Sequence, residues 1–243
     1  MNVFDLIIRD GTRVSIEEVF LTPDSRAKVV QLIREYLFSA EIAAHGLPLN
    51  NKVLLQGASG CGKTTTAKAI AHALGKPLYI LNLSNVVSAR IGETSQHLKQ
   101  LFDKASRDKA VLFLDEFDQI GKERGNDTTD VGEMRRLVNT VIQLMDYLPQ
   151  EALLIAATNH AEILDPALVR RFQLRVQFEL PDDAILDEYY NYITSPFHED
   201  LRNISRRYGI SFAEARDEAF TQMKANLLTR LENEQSNGTE HTA

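Results

Sequence analysis

The chain has 243 residues, 44% of them hydrophobic and 25% charged, with a formal net charge of −7. That length suits one large α/β domain with a small helical appendage, not two large domains, and the acid excess argues against general affinity for a polyanion. The single cysteine, Cys61, excludes internal disulfides and a cysteine-based zinc cluster, and no pair among the six histidines has metal-ligand spacing.

In chain order, residues 1–21 read as a short strand or extended arm. Residues 1–10 lack a basic segment followed by a sustained apolar one, and no later apolar run approaches the roughly 18–20 residues that span a bilayer. The expected location is therefore the cytoplasm. Thr22-Pro23-Asp24 reads as a helix start: a capping threonine, proline at the first helical position and an acid in the first turn. Val29, Ile33, Tyr36, Leu37, Ala40 and Ala44 recur at helical spacing, and Gly46 supplies the stop. Strands are predicted over 52–56, 78–81, 110–114, 152–157 and 174–178. Helices or helix-bearing connections fall near 62–74, 94–106, 130–147 and 160–170. Near-continuously apolar strands separated by helices imply a parallel sheet covered on both faces. Pro181-Asp182-Asp183 ends the alternation. Only helical segments follow, near 183–193, 198–208 and 211–229, and the polar residues 232–240 are expected to be frayed or disordered. The expected organisation is an arm (1–21), a large α/β domain (22–180), an all-helical lid (181–230) and a polar tail (231–243).

Gly57-Ala58-Ser59-Gly60-Cys61-Gly62-Lys63-Thr64 matches G-x-x-x-x-G-K-[ST] between an apolar strand and a helix. Glycines let the backbone curl so that its N–H groups face phosphates, and the helix N-terminus adds the positive end of its dipole. Lys63 is placed to reach the β- and γ-phosphates of ATP, and the Thr64 hydroxyl to coordinate Mg²⁺; Thr65 joins the phosphate-binding set. Val111-Leu112-Phe113-Leu114-Asp115-Glu116 is an apolar strand ending in two acids, at the sheet edge where open α/β folds bind ligands. Asp115 is expected to hold Mg²⁺, chiefly through its water shell, and Glu116 to polarise the attacking water.

With these motifs in place the chain resembles the AAA family of P-loop ATPases, in the clade of proteasomal unfoldases, membrane AAA proteases and microtubule-severing enzymes. The resemblance runs from about residue 20 to 225. Ala156-Ala157-Thr158-Asn159 is similar to the family's sensor 1, which implies that Asn159 helps position water near the γ-phosphate. Leu164-Asp165-Pro166-Ala167-Leu168-Val169-Arg170-Arg171-Phe172 resembles the arginine-finger segment. The resemblance implies that Arg170 or Arg171 completes a neighbouring subunit's site in a homo-oligomer, usually a hexamer. Glu179-Leu180-Pro181-Asp182 is similar to the crossing into the lid, and the segment from Tyr208 to Ala215 to the lid's Gly-x-Ser turn and following helix.

The central-pore loop is expected at Arg90, Ile91 and Gly92, where unfoldases of this family commonly carry an aromatic in place of Arg90. Either the ring handles an acidic or nucleic-acid partner, or it threads nothing. Gly121 to Asp130 reads as a second loop toward the pore or as a solvated connection, and Cys61 stands where threonine is commoner. Three activities fit such a core: a ring that remodels a protein, a nucleotide-switched subunit that gates a separately encoded effector, and a nucleic-acid-handling ATPase. The acidic charge and the absence of a helix-turn-helix or zinc module weigh against the third. Arg90 and the absence of an N-terminal recognition domain weigh toward the second.

Overall fold

The computed structural model describes residues 7–8, 12–84, 91–121 and 128–240. Packing divides the chain into two units, one within residues 1–57 and 62–178, the other made of 58–61 and 179–243.

The first unit is built on five parallel strands: β1 (Lys52–Gly57), β2 (Leu78–Asn82), β3 (Val111–Asp115), β4 (Leu153–Thr158) and β5 (Leu174–Phe178), in the order β2-β3-β4-β1-β5. β4 is buried at every position, as expected of a strand covered on both faces. Helix α1 (Pro23–Leu37) starts at Thr22, whose side chain accepts from the Ser25 amide, and packs beside the edge strand β5, where the Ser25 hydroxyl donates to Gln177 O at 2.8 Å. The single helix expected to run on to Gly46 is instead two, because Phe38 leaves helical geometry before α2 (Ser39–Ala44). Helix α3 (Lys63–Ala73) follows β1. Helices α4 (Ile91–Arg107) and α6 (Thr128–Asp146) pack on one another, burying Leu98, Leu101, Phe102, Leu137, Val141 and Met145 in the main core. Two short helices, α5 (Asp118–Gly121) and α7 (Pro166–Val169), follow β3 and precede β5. At the other edge Ile8 bridges antiparallel to Ile80 on β2, and Ile7 joins the core, so part of the expected arm covers an otherwise open strand.

The second unit contains α8 (Asp183–Thr194), capped by Asp182, and the long α9 (Phe212–Glu240). Two expectations fail here. The helix predicted near 198–208 is only a 3₁₀ turn at Glu199–Leu201, and residues 202–208 have no regular structure. Their backbone is held by side chains instead. Gln222 bonds both the amide and the carbonyl of Ser205 (2.8 and 3.0 Å), Asn226 donates to Asn203 O (2.9 Å), and the buried Tyr190 hydroxyl donates to Arg207 O (3.0 Å). The polar tail expected to fray from 231 is helical as far as Glu240. No proline interrupts it, and the Arg230–Glu234 pair at 3.3 Å supports one turn of its exposed surface.

The exit of β1 is a tightly constrained point of the backbone. Gly57 has φ of 128°, and a Cβ there would lie 1.9 Å from Phe178 O, its register partner on β5. Gly57→Ala therefore combines an unfavourable dihedral with a backbone clash, and should destabilise the first unit by about 3 kcal/mol or more. Chemical denaturation is the check; a loss under 1 kcal/mol would show that β5 yields easily.

Candidate nucleotide site

Parallel register sets this site. Gln56 on β1 is level with Thr158 on β4, and Ala156 on β4 is level with Leu114 on β3. Gly57 and Asn159 therefore leave the sheet next to one another, with Asp115 about two residues lower on β3, all at the carboxyl edge where ligands bind in open α/β sheets. The loop after Gly57 turns into α3 through Gly62 (φ 96°), which offers no capping side chain, and a helix N-terminus of this kind favours an anion. Residues 58–61 group with the second unit: Ala213 N–H donates to Gly60 O at 3.2 Å, and a Cβ on Gly60 would meet Ser211 Oγ at 2.6 Å. Ala58 and Ser59 lie in the same turn; Cys61 is buried, its thiol 3.5 Å from Ser59 O, which fits a small side chain filling a tight loop.

Lys63, at the start of α3, is buried to 9% exposure. Its ammonium donates to Gly57 O at 2.8 Å and to Asn159 Oδ1 at 2.7 Å. Thr64 Oγ1 lies 3.5 Å from Asp115 Oδ2, which brings two hard oxygens to the spacing of neighbouring ligands on a small cation. Thr65 is exposed in the next position. Burial pushes the Asp115 carboxyl above the usual carboxylate range, and the Glu116 charge adds to this. The Glu116 amide at 2.9 Å, the Lys63 charge and the Thr64 hydroxyl pull the other way. A half-buried acid facing a second acid is a site that a divalent cation would relieve, so these residues fit Mg²⁺.

Glu116 sits at φ 55°, in the left-handed region that costs a non-glycine residue on the order of 1 kcal/mol. Its conformation is held from both sides: Phe117 N–H donates to Ala157 O of β4 at 2.8 Å, and the Ser84 hydroxyl donates to the Glu116 carboxylate. Just after Phe117, the buried Asp118 accepts from the Thr158 hydroxyl at 2.9 Å, and the same hydroxyl accepts from the His160 amide at 2.9 Å, gripping the turn that carries Asn159. Ser84, Asp118 and Thr158 are positioning groups that the motifs do not single out.

The two candidate arginines separate. Arg171 donates to Ala167 O at 2.9 Å and reaches Asp146 at 3.3 Å through both Nε and Nη2. Arg170, at the C-terminal end of α7, is exposed, and among the described residues its side chain makes no hydrogen bond or ion pair. Of the expected pore loop, Arg90 lies outside the described residues, and Ile91 and Gly92 open α4. Residues 122–127 of the second expected loop also lie outside them. Among the described residues there is no cluster of metal-ligating side chains, and no helix is long and apolar enough to cross a membrane.

The family model of the "ATPase family associated with various cellular activities (AAA)" matches residues 53–180. Over 230 residues the chain is 32% identical to the uncharacterized AAA family ATPase y4kL of Sinorhizobium fredii, covering 93% of this chain and 69% of that protein. It is also 32% identical over 195 residues to a putative 26S proteasome regulatory subunit homolog of Methanothermobacter thermautotrophicus, covering 77% of this chain and 51% of the relative. Identity is again 32%, over 210 residues, to the ATP-dependent zinc metalloprotease FtsH 4 of Synechocystis, covering 82% of this chain and 33% of the protease. The chain thus spans about half and a third of the latter two.

The raised Asp115 carboxyl gives a signed prediction. An acid held above its ordinary value weakens the fold once it ionises, so the penalty is absent at low pH and appears as pH rises through the raised value. Asp115→Asn should therefore melt higher than the parent at neutral pH without nucleotide, and the difference should vanish on acidification. The same substitution should weaken Mg²⁺-dependent nucleotide binding by about 10- to 100-fold. Melts across acidic to neutral pH, paired with Mg²⁺ titrations, test both halves.

Proposed function

This chain belongs to the AAA family of ATPases, and from that premise we propose that it hydrolyses Mg²⁺-ATP at the edge formed by β1, β3 and β4, within a ring whose neighbours complete each site. The observation that carries the reading is the meeting of Lys63, Thr64, Asp115, Glu116 and Asn159 within one short stretch of sheet edge. Gly57 to Gly62 and the first turn of α3, with Thr65, wrap the phosphates with backbone amides, and Lys63 brings positive charge to the β- and γ-phosphates. Thr64 and Asp115 would hold Mg²⁺, which would supply positive charge against the phosphate oxygens. Glu116 orients the attacking water and draws on its proton, and Asn159 fixes that water from the other side.

Arg170 fits the in-trans role better than Arg171. Arg171 is engaged by Asp146 and Ala167 of its own subunit, whereas Arg170 is exposed on the surface. An arginine entering from a neighbour can contribute on the order of 10³-fold in phosphoryl transfer. Such a contact is head-to-tail and closes into a ring, with six subunits the family's usual number.

The ring acts on protein. Relatives named as a putative 26S proteasome regulatory subunit homolog and an ATP-dependent zinc metalloprotease support a protein partner or cargo. A nucleotide-switched subunit that gates a separate effector without threading is the second reading, favoured by arginine at position 90 where unfoldases of the family commonly carry an aromatic. The acid excess disfavours nucleic acid as the partner, and the lone cysteine suits a reducing, cytoplasmic setting.

Complementation tests the assembly directly. Glu116→Gln alone should bind ATP yet turn over at least ~100-fold more slowly, and Arg170→Ala should do the same by on the order of 10³-fold. Mixed in equal amounts, they should regain roughly a quarter of the parent rate, because random neighbours in a head-to-tail ring pair an intact Glu116 with an intact Arg170 that often. A mixture no faster than the sum of its parts would remove the arginine from the neighbour's site.

A further inference from the structure

We propose that Asn159 is a positioning residue for Lys63, and that it thereby sets affinity for the β-phosphate of any bound nucleotide. This rests on the nucleotide reading above and assigns Asn159 a second task beside placing water.

Among the oxygens that anchor Lys63 Nζ are two from different parts of the chain. Gly57 O, at 2.8 Å, belongs to the last residue of β1. Asn159 Oδ1, at 2.7 Å, comes from the end of β4, 96 residues away in sequence. A long lysine side chain has many rotamers, and fixed acceptors remove much of that freedom before a phosphate arrives. Asn159 is itself fixed from behind: Thr158 is tied to the buried Asp118, and its hydroxyl grips the His160 amide on the far side of Asn159.

The contact also decides which way the amide faces. An ammonium only donates, so the oxygen of Asn159 must face Lys63 and its NH₂ must point away. The oxygen acts on the lysine that reaches the β- and γ-phosphates, while the NH₂ is the end that can donate to water or to a γ-phosphate oxygen. The two ends predict different losses. If only the NH₂ matters, Asn159→Ala impairs ATP turnover and leaves ADP affinity unchanged. If the oxygen holds Lys63, ADP affinity falls as well, and AMP, which has no β-phosphate, is unaffected.

The experiment is calorimetric titration of the parent, Asn159→Ala and Asn159→Ser with AMP, ADP and ATP, with melting temperatures taken in the absence of nucleotide. Serine is too short to reach Lys63, so both variants remove the same contact, and Asn159 is exposed, so neither empties the core. The expected result is ADP binding about tenfold weaker, the effect of losing a hydrogen bond to a charged group, with AMP binding and melting temperature unchanged. Unchanged ADP affinity would overturn the proposal, as would equal losses for AMP and ADP, which mean a general distortion. Failure of the parent itself to bind ADP would instead overturn the nucleotide reading on which the proposal stands.

Discussion

The pairing of β4 between β3 and β1, all three parallel and opening on the same carboxyl edge, is the constraint on which the rest of the site depends. Parallel strands are buried on both faces, so a slip of one residue would turn apolar side chains against their packing partners, and the apolar runs of β1, β3 and β4 hold the register firmly. Once it is fixed, Gly57 and Asn159 emerge next to one another, with Asp115 about two residues lower on the same edge. No loop has to find another; each begins beside its neighbour.

The site stores unfavourable terms that the sheet offsets. Asp115 is half-buried beside a second acid, Glu116 occupies a left-handed conformation, and Lys63 is a nearly buried ammonium. Each is tolerable because the surroundings over-determine it: Ser84 and Ala157 for Glu116 and the residue after it, Gly57 and Asn159 for Lys63. Rigidity of this kind is how a preorganised phosphate site keeps its charges in place.

Much of this was legible in the sequence because it rests on local rules. The five strands follow from short apolar runs between helical patterns, with boundaries off by about a residue. The loop at Gly57 to Thr64 and the acids after β3 are short motifs whose chemistry dictates their spacing. What stayed hidden depends on contacts between distant residues. Ser84 meets Glu116, and Thr158 meets Asp118, only once β3 lies between β2 and β4. The irregular stretch at 202–208 looked helical because its own residues permit a helix; Gln222 and Asn226 on α9 outbid that preference. The helix continuing through residues 231–240 shows the reverse, a polar segment carried forward from a helix already nucleated. Arg170 and Arg171 are adjacent in sequence, and only the contact of Arg171 with Asp146 tells them apart.

The central claim is that an ATPase site built on this sheet edge is finished by a neighbouring copy. Its most direct test is turnover per subunit with Mg²⁺-ATP across a dilution series, with mass measured at each concentration. The account predicts that turnover per subunit falls together with the assembled fraction. A rate per subunit that stays constant into samples shown to be monomeric would contradict it.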